Sequence, residues 1–306
     1  VSSTDVIGEL TPEASEALNL PQHLKVVAGG VDNSCMALGA RSYKEGRVYN
    51  SLGSSSWIAV ASEKPLLDPK SRPYVFTHVI PGMFMSAMAI FSSGSSFRWL
   101  RDQLCQSIVA EAEANKIDPY ELMTAAAEKS PVGSNSILFN PSLAGGSSLD
   151  DSPNIRGAFM GLDLGHTRPD VIRSVMEGVA MGLRQVLDEL RRLTPIADEM
   201  TVVGGSSRSR LWRQIFADVY QMEIVKTNID QQAAALGAAA LAAVGTGIWS
   251  NFDIIDDIHK IEDRAEPISD NCIAYEKLLP VFIEAGRFNS KIGDMLASVS
   301  ATAGEE

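Results

Sequence analysis

The 306-residue sequence has few cysteines, few histidines and no long hydrophobic run, and each shortage excludes a class of protein. The three cysteines are far apart, without a Cys-x-x-Cys pair, which argues against a disulfide scaffold and a zinc site. None of the four histidines has a metal-ligand spacing. The longest apolar run, residues 79–91, contains Pro81 and Gly82 and is too short to cross a bilayer. We therefore expect a cytoplasmic protein with reduced thiols, no metal site of its own and no membrane segment.

Positive charge is also scarce, since 26 Lys and Arg stand against 38 Asp and Glu and leave a net charge of -12. This balance disfavours nucleic-acid and anionic-membrane partners. It still allows a phosphorylated ligand, because a few backbone amides or one arginine can hold a phosphate. No basic segment precedes an apolar one at the start, so no secretory signal is expected. Because the chain opens at Val1 without Met, we expect its natural beginning to lie upstream.

The apolar periodicity predicts an α/β protein. The pattern alternates between strands and helices, as in a sheet with crossover helices. The predicted strands are 25–31, 47–52, 57–62, 200–205 and 223–227, and the predicted helices are 33–40, 94 onward, 119–128, 169–193, 208–222, 232–244 and 271–296. Residues 130–158 are dense in Pro, Ser, Gly and Asn and are predicted to form a long functional loop.

One carboxylate stands at the end of the first predicted strand. Asp32 follows Gly29 and Gly30, and Asn33 comes next. Asp32 could cap the following helix, which is the commoner role of such a residue. Alternatively, it could take a proton from a hydroxyl nucleophile, with the Asn33 amide binding polyol hydroxyls.

Two glycine-rich turns follow predicted strands. The first, Gly53-Ser54-Ser55-Ser56, could be an ordinary hairpin loop or a place where backbone amides and hydroxyls converge on phosphate oxygens. The second, residues 202–209, reads Val-Val-Gly-Gly-Ser-Ser-Arg-Ser before a predicted helix, which could be a helix cap or a nucleotide-binding turn. It lacks the Gly-x-Gly-x-x-Gly spacing, so a dinucleotide-binding fold is disfavoured.

Two predicted helices carry small faces. One has Gly178 and Gly182 four residues apart, and the other reads Ala-Ala-Ala-Leu-Gly-Ala-Ala-Ala from Ala233. Such faces most often allow close helix packing, although an adenine ring could also lie against them. The methionine-rich segment 83–88 is predicted to lie in the core.

Taken in order, these features resemble the C-terminal half of the FGGY carbohydrate kinases. The strongest match joins residues 157–162 (Gly-Ala-Phe-Met-Gly-Leu), a seven-residue gap, and residues 170–177 (Asp-Val-Ile-Arg-Ser-Val-Met-Glu), which together fit the family's second signature. Residues 203–219 look like the family's adenosine-side segment, and residues 232–239 look like the helix after it. Residues 27–33 are most similar to xylulokinases. The resemblance covers roughly residues 5–295.

The resemblance implies an actin-like, ribonuclease H-like ATPase fold, with a mixed sheet flanked by helices. It implies ATP and Mg²⁺ as cofactors and transfer of the γ-phosphate of ATP to a sugar such as D-xylulose, or in related kinases to gluconate, ribulose or glycerol. Asp32 would be the general base, and Asp32 and Asn33 would bind sugar. The nucleotide would be held by two sets of residues: Gly53, Ser54 and Ser55, and Gly204, Gly205, Ser206 and Ser209.

The resemblance also bears on what the chain contains. Residues 1–306 would be the C-terminal domain, with a core at 5–295, and the family's N-terminal domain would be absent, so we expect this chain alone to fold without turning over. The missing domain would be its partner, and a homodimer is compatible with the family. The chain departs from the family at Ser54, where Thr is usual, and at residues 144–147 (Ala-Gly-Gly-Ser), where xylulokinases carry Gly-Glu-Arg. A non-catalytic sugar- or nucleotide-sensing relative is therefore a second hypothesis.

Overall fold

A computed structural model describes residues 1–302, with side chains to residue 299. The strands are β1 Val6–Glu9, β2 Lys25–Val27, β3 Val48–Leu52, β4 Ser56–Ser62, β5 Tyr74–Thr77, β6 Phe84–Ile90, β7 Leu138–Asn140, β8 Ala158–Met160, β9 Glu199–Val203, β10 Glu223–Thr227 and β11 Ile261–Ala265. The helices are α1 Pro12–Leu18, α2 Asp32–Gly39, α3 Gly94–Leu104, α4 Gln106–Asn115, α5 Pro119–Ala127, α6 Arg168–Leu193, α7 Arg210–Tyr220, α8 Ala233–Gly245, α9 Ile254–Ile258 and α10 Ser269–Thr302. Short 3₁₀ turns lie at Ser134–Ser136 and Gly205–Arg208.

The central sheet of the described residues has seven strands in the order β11-β10-β9-β3-β4-β6-β5. Strands β3, β9 and β10 are mutually parallel, and the other neighbours are antiparallel. The predicted mixed sheet is therefore confirmed, and so is the hairpin between β3 and β4. Because β3 and β9 are adjacent and parallel, the turns at Gly53 and Gly204 both lie at the carboxyl edge of the sheet.

Helices cover both faces of this sheet. The side chains of β3 point alternately to the two faces of the sheet. Tyr49 packs against α2 and α8 on one face. Val48 and Leu52 belong to the larger core beneath α6 and α7 on the other face. The methionine-rich segment is β6, and its Met85 and Met88 are buried, as predicted. No helix in residues 1–302 is long and apolar enough to span a bilayer.

Small residues allow α2 and α8 to pack against each other at backbone distance. A β-carbon on Gly237 would collide with the carbonyl group of Cys35, and one on Gly39 would collide with the carbonyl of Ala233. The predicted close packing of the α8 face is confirmed, and α2 occupies the face that an adenine ring would need. Gly178 differs, because it faces the backbone of Phe139 in β7 rather than another helix.

Helix α6 begins with a buried acidic network. The Asp170 carboxylate accepts hydrogen bonds from Ser130, Asn135 and Thr167, and Thr167 and Asp170 form a capping box. Two turns further on, the Glu177 carboxylate accepts hydrogen bonds from Gly133, Ser134, Arg173 and Tyr275. The carboxylates of the 170–177 motif therefore tie the loop around residues 130–135 to α6.

The main local difference from the sequence prediction lies before α2. Residues 25–31 were expected to be one strand, but β2 ends at Val27. Gly29 has a φ of 75°, a left-handed conformation that a strand cannot continue through. Residues 130–158 were expected to be a loop throughout, but they include the 3₁₀ turn at Ser134–Ser136 and strand β7, which pairs with β8. The helix predicted from residue 94 onward is divided at Cys105 into α3 and α4.

Candidate functional site

Asp32 and Asn33 begin α2, where Asp32 is exposed and Asn33 is half-buried. Val31 occupies the N-cap position, so Asp32 is the first helical residue and not the cap. One Asp32 carboxylate oxygen accepts the backbone amide of Asn33 at 2.8 Å, and the carboxylate is otherwise open to solvent. Burial raises the pKa of Tyr49, and the negative charge of Asp32 raises it further.

The β3–β4 hairpin is fixed by the start of α3. The amides of Ser93 and Ser95 donate to the Ser54 carbonyl at 3.0 Å, and the Gly94 amide donates to the Gly53 carbonyl at 3.0 Å. A β-carbon on Gly94 would lie 2.5 Å from the Gly53 carbonyl oxygen, so glycine permits this approach. Within residues 1–302 the amides of Ser54 and Ser55 donate no hydrogen bond. The hairpin thus turns its carbonyls to α3 and leaves two amides for another acceptor.

The second turn joins β9 to α7. Gly204 has a φ of 99°, and a β-carbon there would lie 2.6 Å from the Leu52 carbonyl oxygen. Residues 205–208 form a 3₁₀ turn, so α7 starts two residues later than predicted, at Arg210. The Ser209 hydroxyl accepts the Trp212 amide at 3.3 Å and is the N-cap of α7. The capping interpretation of this segment is therefore correct for Ser209.

The two turns border one cavity of about 730 Å³. Of the residues predicted to bind nucleotide, Gly53, Ser54, Gly205, Ser206 and Ser209 line it. Ser55 and Gly204 are adjacent in the chain and do not line it, while Asp32 and Asn33 lie outside its lining. The structure therefore brings the two glycine-rich turns together and leaves the carboxylate apart from them.

The wall opposite the turns is aromatic. Phe97 stacks on Tyr120 with ring centroids 5.6 Å apart and an interplanar angle of 20°. Trp212 meets Phe97 edge-on at 5.6 Å, and all three residues contribute atoms to the cavity lining, although Phe97 and Trp212 are buried. Of the three rings only Tyr120 is partly exposed, so an apolar ring beside free amides suits a ligand that combines a flat ring with an anionic group.

Two arginines bring positive charge to this cavity of an acidic protein. Arg98 donates to the Ser54 hydroxyl at 3.4 Å, and neither Arg98 nor Arg210 forms a salt bridge in the part of the chain that the structure describes. Arg208, in contrast, pairs with Asp230 at 3.0 Å. Arg98 and Arg210 can therefore offer their charge to a phosphate without first leaving a carboxylate.

The residues described do not build a metal site by themselves. No group of three or more His, Cys, Asp or Glu in residues 1–302 is placed to hold an ion. Magnesium usually takes one or two carboxylates and completes its shell with water and substrate phosphates. The Mg²⁺ implied by the family resemblance, held by phosphates and one or two carboxylates, needs no such group.

The loop that departs from the family at residues 144–147 lies elsewhere. Gly145 and Ser147 line a second cavity of about 510 Å³, between the loop, α6 and α10. None of the predicted site residues borders that cavity. The missing charged pair therefore does not alter the wall of the cavity at the glycine-rich turns.

Sequence reasoning missed the contribution of α3 and α5 to the site. Gly94, Arg98 and Tyr120 were seen only as parts of helices, because nothing in their spacing indicates which loop they meet. The one feature of the sequence that could have indicated this contact is Gly94, a glycine at the start of a predicted helix. Its position against Gly53 explains why no larger residue stands there.

Comparison with known proteins gives a consistent result. Residues 48–246 match the family model described as "FGGY family of carbohydrate kinases, C-terminal domain". A gluconokinase of Bacillus subtilis is 29% identical over 289 residues, which are 94% of this chain and 56% of that protein. A xylulose kinase of Staphylococcus epidermidis is 28% identical over 283 residues, or 92% of this chain and 55% of that protein. The chain thus spans about half the length of these relatives.

Solved structures agree with the sequence relatives. The crystal structure of a xylulose kinase from Rhodospirillum rubrum superimposes with a TM-score of 0.83 at 26% identity. The match covers 96% of this chain and 57% of that one. The family model matches from residue 48 onward, so α2 and Asp32 precede the matched range. The alignment with the gluconokinase covers 94% of the chain and includes them.

Proposed function

The chain belongs to the FGGY family of carbohydrate kinases, with the actin-like fold of that family, and we propose from this that it supplies the nucleotide-binding half of an ATP-dependent sugar kinase. One observation carries the proposal: the turns at Gly53 and Gly205 converge on a single cavity at the carboxyl edge of the sheet. Ligands of open α/β sheets bind at such edges.

In this proposal the cavity holds ATP in two parts. The partly exposed ring of Tyr120, which the buried Phe97 supports from behind, packs against the adenine ring. The amides of Ser54 and Ser55 and the guanidinium of Arg98 hold the phosphates. Gly205 and Ser206 form the edge between them, where a backbone without a large side chain permits close approach.

Asp32 is proposed as the general base. Its carboxylate would take the proton of a sugar hydroxyl while that oxygen forms a bond to the γ-phosphorus of ATP, and the bond from phosphorus to the β,γ-bridging oxygen would break to release ADP. Exposure supports this role, because the carboxylate has one hydrogen bond to its neighbour's amide and retains the capacity to accept a proton. Asn33, whose side chain makes no hydrogen bond in the described residues, would bind a second sugar hydroxyl.

The acceptor proposed is a ketose such as D-xylulose, with gluconate as the alternative. Relatives named xylulose kinase and gluconokinase differ by one percentage point in identity to this chain. Because the chain spans about half the length of these relatives, we propose that it binds nucleotide but does not turn over without the other half, which would be its partner.

The test is ADP release in the full-length protein, measured with ATP and each of D-xylulose, D-ribulose, gluconate and glycerol. One acceptor should give turnover well above the rate without sugar. For the half described here, ADP binding by saturation-transfer NMR should fall with Arg98→Ala and stay unchanged with the control Arg287→Ala on α10. Binding that is indifferent to Arg98 would contradict the cavity assignment. ADP binding without turnover on any acceptor would favour a nucleotide-sensing relative.

A further inference from the structure

The cavity between α6, α10 and the loop 142–151 is separate from the cavity at the glycine-rich turns. The two share no lining residue. Its volume of about 510 Å³ lies within the range of about 300 to 1,000 Å³ that small-molecule sites usually have. Neither Asp32 nor Asn33 lines it, so it is also separate from the position proposed for the sugar acceptor. We call it the α10 cavity.

Two glycines inside helices keep the α10 cavity open. Gly182 lies within α6 and Gly286 within α10, and both line the cavity. A β-carbon on Gly182 would come no nearer than 3.5 Å to a neighbouring segment, and one on Gly286 no nearer than 3.7 Å, which are ordinary contact distances. Gly178 differs, because a β-carbon there would lie 2.0 Å from a backbone oxygen. Alanine would fit at positions 182 and 286 and would favour the helix, so close packing does not account for these two glycines.

Polar groups without a partner line the same cavity. Asn140 in β7 is 4% exposed; its Oδ1 accepts the Ser142 amide at 2.9 Å, while its Nδ2 donates to none of the described residues. That nitrogen is the atom that a β-carbon on Gly286 would approach, so it points towards the space that the glycine leaves. The hydroxyl of Ser290 in α10, which is 2% exposed, has no partner within the described chain. The half-buried Gln185 in α6 forms no side-chain hydrogen bond with any described residue.

These groups are arranged to share one ligand. A buried donor without an acceptor destabilises a fold, and native proteins keep few of them. Here such groups come from β7, α6 and α10 and meet at one cavity. The loop adds an acceptor, because one carboxylate oxygen of Asp150 accepts from the amide and the hydroxyl of Ser147, and the other oxygen accepts nothing from the described residues. A ligand in the cavity can therefore satisfy donors and acceptors from four segments.

The charges at the α10 cavity favour a neutral ligand. Seven charged side chains line it, and three of them are paired with residues outside the lining, namely Asp188, Glu189 and Arg287. The four that form no ion pair in the described residues are Lys70, Arg72, Asp150 and Asp151. Two charges of each sign remain, so the cavity has no net charge that would attract an anion.

We propose that the α10 cavity binds a neutral polyol of the size of a sugar. The ligand hydrogen-bonds to four side chains, those of Asn140, Asp150, Gln185 and Ser290. Polyol hydroxyls both donate and accept, which matches a set of two amides, a hydroxyl and a carboxylate. The half-exposed ring of Phe91 also lines the cavity and offers an apolar surface to the carbon skeleton. Because Asp150 belongs to the loop and Ser290 to α10, the bound polyol joins the loop to the helix.

Saturation-transfer NMR on the 306-residue chain tests the proposal, with the uncharged sugar alcohol xylitol as the probe. Xylitol should bind, and Gln185→Leu should raise its dissociation constant about three- to tenfold, the effect of losing one or two hydrogen bonds. Gln103→Leu, at an exposed position of α3 outside the cavity, is the matched control and should leave the constant unchanged. Gluconate should bind more weakly than xylitol, because no net positive charge is present for its carboxylate. Gluconate binding as tight as that of xylitol would contradict the neutral class of ligand.

Gly286→Leu fills the cavity from α10. It should abolish xylitol binding while the urea midpoint stays at or above that of the wild type, because the β-carbon has room and leucine favours a helix. Asn33→Ala should leave xylitol binding unchanged, which separates this site from the proposed acceptor position at α2. Xylitol that does not bind at about 100 mM would overturn the proposal. So would binding that survives both Gly286→Leu and Gln185→Leu, or binding that only Asn33→Ala removes.

Discussion

Gly204 lies directly over the backbone of Leu52, so that a β-carbon on Gly204 would be 2.6 Å from the Leu52 carbonyl oxygen and 3.1 Å from its nitrogen. Leu52 ends β3, and Gly204 follows the end of β9. The contact therefore joins the two turns that border the cavity and sets the distance between them.

The first prediction concerns this contact. Gly204→Ala should destabilise the protein by about 2 to 4 kcal/mol, because the methyl group meets rigid backbone and the φ of 99° disfavours any residue but glycine. Urea unfolding followed by circular dichroism measures the change. Gly205→Ala is the control: its nearest neighbour would be Gln231 at 3.9 Å, so stability should stay within about 0.5 kcal/mol.

Gly205→Ala should have a separate effect on ligand binding. Gly205 and Gln231 both line the cavity, so the added methyl group projects into the space proposed for the nucleotide. We expect ADP affinity to fall at least several-fold in the same NMR titration. Equal ADP affinity in the variant and the wild type would mean that the nucleotide binds elsewhere.

The second prediction concerns the proposed base. Asp32→Asn should reduce phosphoryl transfer in the full-length kinase by about 10²- to 10⁴-fold, the usual contribution of a general base. Thermal stability should hold, because the side chain is exposed. Asp198→Asn, at another exposed site, is the control for the loss of one charge. A variant that keeps full activity would remove Asp32 from the mechanism.

The third prediction uses Asp170, which is 3% exposed. Burial alone would raise its pKa, but hydrogen bonds from Ser130, Thr167 and Asn135 outweigh burial and lower the pKa to about 2. The unfolded chain then binds a proton at higher pH than the folded one. The stability from Asp170, about 2 kcal/mol, is thus present above pH 4 and lost as the pH falls towards 2.

Urea titrations between pH 5 and pH 2 measure this loss. Asp170→Asn should be less stable at pH 5 and should lose less stability than the wild type on acidification. The exposed Asp198→Asn should follow the wild-type curve. If the unfolding free energy of Asp170→Asn decreased with falling pH as steeply as that of the wild type, other carboxylates would account for the loss of stability in acid.

The fourth prediction concerns the buried histidines. Burial lowers the pKa of His78 to about 4, and its ring nitrogens bond the Ser42 carbonyl and the Ile80 amide, each at 3.0 Å. Between about pH 6.5 and 4 the unfolded state binds a proton that the folded state excludes, so stability decreases by about 3 kcal/mol as the pH falls through this range. Burial lowers the pKa of His259 as well, so it acts in the same direction.

His78→Gln should therefore reduce the dependence of the unfolding free energy on pH between pH 7 and 4. Some dependence should remain, because His259 is unchanged. His23→Gln is the matched control, because His23 is exposed beside Glu9. This pH range lies above that of Asp170, so the two groups can be distinguished in one series of titrations. A curve unchanged by His78→Gln would contradict the assignment.

The sequence predicted those parts of the fold that depend on local pattern. The helices α6 to α8 and the strands between them follow from apolar periodicity, and their observed ends lie within a few residues of the predicted ones. The β3–β4 hairpin follows from a Gly-Ser turn between two apolar runs. The FGGY resemblance then implied the mixed sheet flanked by helices, whose strand order periodicity alone does not indicate.

What could not be predicted depends on contacts between distant segments. Gly178 and Gly237 have the same helical surroundings in the sequence, yet one faces a strand and the other a helix. The aromatic wall needs α3, α5 and α7 together, and no spacing indicates that Phe97, Tyr120 and Trp212 meet. The separation of Asp32 from the cavity lining likewise follows from α2 covering the opposite face of the sheet.

The hydrogen bonds between the hairpin and α3 have a consequence for motion. Three amides at the start of α3 donate to the carbonyls of Gly53 and Ser54, so these hydrogen bonds must break before the helix and the hairpin can separate. The contact between Gly204 and Leu52 fixes the β9–α7 turn to the same edge of the sheet. A fluorophore on α3 paired with one on β4 should therefore keep a constant distance when ADP is added.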